Sequence, residues 1–233
     1  MAVLEEILQR HPVWRGAALS SALPAVPSGF AELDRELPGG GWPAGALTEL
    51  LSGHAGIGEL QLLLPALARL SWAGRRVVWL APPHLPYAPA LAAAGVDLAR
   101  LAVVRAPGWN ALWAAEQVLR SGSCHALLAW LPKVRYEELR RLALAVEGAP
   151  ACVALFRPVH AAHAASPAAL RLSVEPAGGA LSVHILKRRG APAATPLRLP
   201  LNRPAHALAR TALSPAAPGH ARDNRRLGVS VHA

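Results

Sequence analysis

The chain has little cysteine, little lysine and no long apolar run, and each shortage excludes a class of protein. Two cysteines in 233 residues, Cys124 and Cys152, cannot form a disulfide framework. Each lies inside an apolar stretch, which suits buried thiols in a reducing compartment. With His125, His160 and His163 they give no zinc-ligand spacing. No apolar stretch reaches the roughly 18 to 20 residues of a membrane helix, and the best one, Leu60 to Leu70, is broken by Pro65 and Arg69. Glu5 and Glu6 stand where a signal peptide would be basic, so the expected location is the cytoplasm. No Gly-x-Ser-x-Gly elbow and no solenoid-period repeat occurs.

Charged residues make up 16% of the chain and hydrophobic ones 53%, so there is material for one large core and wholesale disorder is excluded. The net charge is +10, and most of it belongs to the C-terminal end. From residue 187 onward stand Lys187, Arg188, Arg189, Arg198, Arg203, Arg210, Arg222, Arg225 and Arg226, opposed by Asp223 alone. That end can meet nucleic acid or an acidic protein, or it is a solvated arginine-rich tail.

The length fits a single domain with extensions. Residues 1–24 read as a flexible N-terminal arm with Trp14 and Arg15 as an anchor, 25–201 as an α/β core, and 202–233 as a basic, disordered tail. Within the core, apolar runs predict strands at Leu47 to Leu51, Arg76 to Ala81, Leu101 to Arg105, Ala126 to Leu131 and Ala151 to Phe156. Their continuous hydrophobicity predicts a mostly parallel sheet covered on both faces. Helical spacing alternates with them at Glu59 to Ala73, Pro86 to Ala94, Trp109 to Ser121 and Arg135 to Glu147. Leu170 to Glu175 and Leu181 to Lys187, joined at Pro176 to Gly179, predict a C-terminal antiparallel hairpin, with a further strand at Pro196 to Leu201.

One loop carries a chemical signature. Gly53, Gly56 and Gly58 follow a strand and precede a helix at the spacing of a phosphate-binding P-loop, whose backbone amides wrap phosphate. The lysine position holds Glu59 and the hydroxyl position holds Leu60. A carboxylate there repels a polyphosphate, and leucine offers no oxygen to magnesium. The expectation is a loop of P-loop shape without productive ATP binding.

Residues 26–157 resemble the RecA-like family, through Pro27-Ser28-Gly29-Phe30-Ala31-Glu32-Leu33-Asp34, Leu37 to Leu50, Ala94-Gly95-Val96-Asp97-Leu98 and Leu119-Arg120-Ser121-Gly122. Within it the chain resembles the translesion-synthesis ImuA family, through Ala81 to Pro89 and His11-Pro12-Val13-Trp14-Arg15-Gly16. The resemblance implies a RecA-like three-layer sandwich. It places the catalytic glutamate of RecA proteins on Pro83 and the Walker B aspartate on Trp130, so a non-enzyme without cofactor or metal is expected. It also implies a role in lesion bypass and induced mutagenesis. The partners would be an ImuB-type polymerase relative, RecA and an error-prone replicative-type polymerase, with DNA contact and nucleoid association during damage. Candidate contacts are Trp14, Arg15, Lys187, Arg188, Arg189 and the tail arginines Arg203, Arg210, Arg222, Arg225 and Arg226. The alternative is a SulA-like cell-division inhibitor, a shortened RecA-like protein that binds the division tubulin. Retention of the arm, the loop and the tail points to the first reading. Trp72, Trp79, Trp113 and Trp130 are expected in the core, and Trp14, Trp42 and Trp109 at interfaces.

Overall fold

Alternating apolar strands and amphipathic helices have one economical arrangement, a sheet with helices on both faces, and the chain adopts it. The computed structural model describes residues 24–190 and 195–201. Its elements are β1 (Ala25–Val26), α1 (Ala31–Glu36), β2 (Trp42–Pro43), β3 (Ala46–Ser52), α2 (Leu64–Trp72), β4 (Val77–Leu80), α3 (Ala88–Ala93), β5 (Leu101–Val104), α4 (Trp109–Arg120), β6 (Ala126–Trp130), α5 (Tyr136–Val146), β7 (Cys152–Pro158), β8 (Leu170–Pro176), β9 (Ala180–Lys187) and β10 (Leu197–Pro200). Short 3-10 turns occupy Glu59–Leu62, Leu98–Arg100 and Val159–His163.

The main sheet has the order β10-β9-β8-β3-β7-β6-β4-β5. The strands from β8 to β5 pair in parallel, and β9 and β10 add antiparallel at one edge. The β8–β9 turn is set by Gly178 and Gly179, at φ 56° and 81°, the paired left-handed conformation of a two-residue hairpin turn. β1 and β2 form a separate antiparallel pair.

Strand alternation divides the core into two layers. Leu50, Trp79, Leu128, Phe156, Leu172 and Val183 point to one face and pack with Leu33 of α1, Ala66 and Leu67 of α2 and Leu91 of α3. Leu47, Val78, Leu80, Leu127, Val153 and Leu155 point to the other and pack with Leu112, Ala115 and Leu119 of α4 and Leu139, Leu142 and Val146 of α5. The result is a three-layer α/β/α unit, with the antiparallel hairpin where the sequence places it.

Two local expectations change. The helix expected at 59–73 is a 3-10 turn followed by α2, because Pro65 sits in the first turn of α2 and has no N–H to continue a helix from Gln61. The run Leu101 to Arg105 is not covered on both faces. β5 is the last strand of the sheet, and Ala102 and Val103 are exposed.

Three tryptophans also lie elsewhere than expected. Trp42, in β2, is 2% exposed and packs into the first core layer. Trp72 and Trp113 are 74% and 58% exposed, since their helices turn other residues inward. Trp79 is buried, Trp130 is half-buried and Trp109 is exposed.

Candidate functional site

The P-loop-shaped segment leaves the C-terminal end of β3 and is occupied by the protein itself. Glu59 turns back into the loop, its Oε1 accepting from the Gly56 amide at 3.0 Å and its Oε2 from the Gly58 amide at 3.1 Å. Glu59 is buried. Ile57 and Leu60 pack against the first core layer, so the residue at the hydroxyl position serves packing. Trp130, at the end of β6, stacks on Phe156 with ring centroids 4.5 Å apart and lies 5.6 Å from Trp79. That aromatic stack stands where a Walker B carboxylate is implied. Pro83 is exposed in the loop after β4.

Of the basic run ending β9, Lys187 donates from Nζ to the Ser166 carbonyl, and Arg188 donates from Nη1 to the carbonyl and carboxylate of Glu36. Burial lowers the Lys187 pKa, with Arg171 adding to the effect. Arg189 is exposed. Trp14, Arg15, Arg203, Arg210, Arg222, Arg225 and Arg226 lie outside the described residues. Among the described residues no group of three or more His, Cys, Asp or Glu side chains is placed to hold a metal ion. None of their helices is long and apolar enough to cross a membrane.

A second surface forms at the opposite end of the strands. Val77 of β4 pairs in register with Leu101 of β5 and with Ala126 of β6. The preceding residues Arg76, Arg100 and His125 therefore stand at the ends of three adjacent strands, about 4.8 Å from one to the next. The end of α2 is fastened to the same place. The Asp97 amide donates to Ser71 Oγ at 3.0 Å, and Trp72 Nε1 donates to the Gly95 carbonyl at 2.7 Å. The indole is thus fixed in orientation while its ring faces solvent.

Arg69, Arg75, Arg76, Arg100 and Arg120 are all exposed at this end, with Asp97 the nearby acid. Asp97 is engaged as the cap of the 98–100 turn, its Oδ1 accepting from the Ala99 amide. Arg75 Nη1 lies 3.0 Å from His125 Nε2. A guanidinium only donates, so Nε2 accepts and the imidazole is neutral. Burial first, and Arg75 second, lower the His125 pKa, which preserves that state at neutral pH. Leu98, just after the Gly95 to Asp97 segment that holds Trp72 and Ser71, is 38% exposed. A fixed, exposed aromatic ring at an end of the sheet that also carries exposed arginines has the composition of a protein-binding hot spot for an acidic face.

This surface is absent from the expectations above because its residues are spread from Arg69 to His125. The sequence signal was the Trp72-to-Arg76 stretch, and it was obscured by a nearly neutral total for the body. Several of the body's carboxylates are sequestered: Glu49, Glu59 and Glu116 are buried, and Glu116 accepts from Arg141 at 2.8 Å.

Fold and loop define an α/β protein whose glycine-rich loop after β3 is closed by its own Glu59 carboxylate. A family model described as cell division inhibitor SulA matches residues 45–152. A relative from Edwardsiella piscicida, named cell division inhibitor SulA, is 36% identical over 101 residues, 42% of this chain. The chain spans 60% of that relative's length.

These matches overturn the ImuA likeness, and with it the translesion-synthesis and repair role and the partners it implied, an ImuB-type polymerase relative, RecA and an error-prone polymerase. The family match covers β3 through the start of β7. It excludes the arm and the tail, two of the three features that had weighed toward lesion bypass, and includes the third, the loop at 53–58. The phrases shared with RecA-like proteins do not separate the two families.

Proposed function

We propose that this chain is a SulA-type cell-division inhibitor, acting without catalysis by docking on the division tubulin in the cytoplasm. The observation that carries the proposal is the Trp72 and arginine surface, every residue of which falls within the segment 45–152 that matches the inhibitor family. Burying a pre-oriented indole costs little side-chain entropy, and arginines at the same end of the sheet speed encounter with an acidic surface. The filled loop supports the non-catalytic part. The parallel sheet, the loop after β3 and the C-terminal hairpin support a RecA-like core over about 25–201.

The test is sedimentation of purified division tubulin polymers with GTP, in the presence of the full chain or its variants. The wild-type chain is expected to suppress polymer mass in a dose-dependent way. Trp72→Ala and Arg100→Glu are expected to raise the half-effective dose at least about tenfold, corresponding to more than 1.4 kcal/mol of lost interaction. Circular dichroism checks that both variants remain folded. Failure of the wild-type chain to bind or depolymerise the division tubulin would refute the proposal.

A further inference from the structure

Glu59 stands at the position where a phosphate-binding loop has its lysine, yet it accepts hydrogen bonds that such a loop would offer to phosphate. Both carboxylate oxygens are engaged, one by Gly56 N–H and one by Gly58 N–H. The residue is 7% exposed, and among the described residues no ion pair reaches it. The negative charge is therefore met by backbone amides. Gly56 and Gly58 have φ of 80° and 105°, the left-handed conformation that turns closely spaced amides toward one point.

The other side of the loop carries the end of the sheet. Leu201, directly after β10, lies so close to Gly58 that a Cβ there would be 2.9 Å from Leu201 Cδ1. The Leu201 amide donates to the Gly179 carbonyl, tying this residue to the β8–β9 turn as well. Loop and strand end are thus packed as one piece.

We propose that Glu59 is a tethered anion that permanently occupies the Gly56 and Gly58 amides and so holds the loop in the shape against which the end of β10 packs. The loop keeps one shape with no nucleotide present, because a carboxylate attached one residue away outcompetes a free ligand for the same donors. A phosphate entering the nest would have to displace that carboxylate and meet its repulsion. The protein consequently has no nucleotide-gated state at this loop. This inference does not depend on the identity of the partner.

The experiment is amide hydrogen exchange, read by mass spectrometry, on the full chain and on Glu59→Ala and Glu59→Gln. In Glu59→Ala, peptides covering Gly53 to Leu60 and Leu197 to Leu201 are expected to exchange at least tenfold faster, while β4 keeps its wild-type rate. Glu59→Gln keeps the shape but has one carbonyl oxygen and an NH2 group, so it can satisfy only one of the two amides. Its loop is expected to exchange at an intermediate rate. Magnesium-ATP is expected to leave the wild-type loop unchanged. Wild-type protection in both variants, or protection of the wild-type loop by ATP, would overturn the proposal. Should Glu59→Ala unfold globally, Glu59→Gln decides: unchanged loop exchange in that folded variant overturns the proposal. Partner binding enters none of these readouts, so they stand or fall apart from the inhibitor proposal.

Discussion

Glu49 is the most heavily committed carboxylate in the molecule. From the middle of β3 its Oε1 accepts from Arg157 Nη1 and its Oε2 from Arg171 Nε, each at 2.6 Å, and its side chain is fully buried. Arg171 donates from Nη1 to the carbonyls of Ala162 and Ala164 and from Nη2 to that of Ala161, and Arg157 donates from Nη2 to that of Val134. One acid thereby anchors two connections that no pairing of strands holds. Glu49→Ala would leave two buried guanidiniums without a counter-charge. The expected loss is about 3–5 kcal/mol of folding stability, read as a lower urea midpoint.

The two thiols give a prediction of opposite character. Burial pushes the Cys124 thiol up to about 11 and the Cys152 thiol up to about 12, from 9.0. Both are neutral in the folded protein at physiological pH and should react with a thiol reagent only on unfolding. Because the folded pKa values are raised, the stabilisation is whole below pH 9 and is lost as the pH rises toward 11 and 12. The slope is about 1.4 kcal/mol per pH unit for each thiol. Comparing urea midpoints at pH 8 and pH 10.5 checks this, and a Cys124→Ala, Cys152→Ala double variant should show a flatter dependence than the wild-type chain.

Among the structural elements, the loop after β3 shows how two glycines of one motif differ. At Gly58 an alanine would face both a φ of 105° and the Leu201 side chain, whereas at Gly53 nothing lies within 4 Å of an added Cβ. Gly58→Ala is expected to cost about 1–3 kcal/mol, and Gly53→Ala to stay within about 0.5 kcal/mol of wild type. Thermal melts of the two variants distinguish them. The glycine spacing in the sequence picked out the loop, and Glu59 and Leu60 were the residues that led to the expectation of a loop without ATP binding. That Glu59 folds back onto the amides was not readable there, since a side chain's hydrogen-bond partners depend on a backbone path that spacing does not specify.

The strands and helices themselves were largely visible in advance, because their apolar periods of two and 3.6 residues are written locally. Errors came where covering by distant parts decides the outcome. Continuous hydrophobicity put Leu101 to Val104 in the sheet, but position at the edge left Ala102 and Val103 open to solvent. Trp72 and Trp113 follow helical spacing as well as any core residue does, and the helix faces that pack are formed by Ala66, Leu67, Leu112 and Ala115 instead.

For the molecule as a whole, charge is the lesson. Counting residues places the positive field after residue 186, yet exposed arginines of a nearly neutral body also stand at one end of the sheet. Arg76, Arg100 and His125 come together because β4, β5 and β6 are neighbours in register, a pairing of segments up to about fifty residues apart. The Arg100→Glu and Trp72→Ala variants described above therefore test a surface that exists only in the folded chain.

Composition and periodicity, being local and additive, were enough to establish the α/β class, the mostly parallel strands and the C-terminal hairpin. Long-range packing settled the rest: which tryptophans are buried, which cations are left at the surface, and that the empty-looking loop is filled by Glu59. Those outcomes turn on which segments become neighbours, and each depends on contacts between residues that carry no mark of one another along the chain.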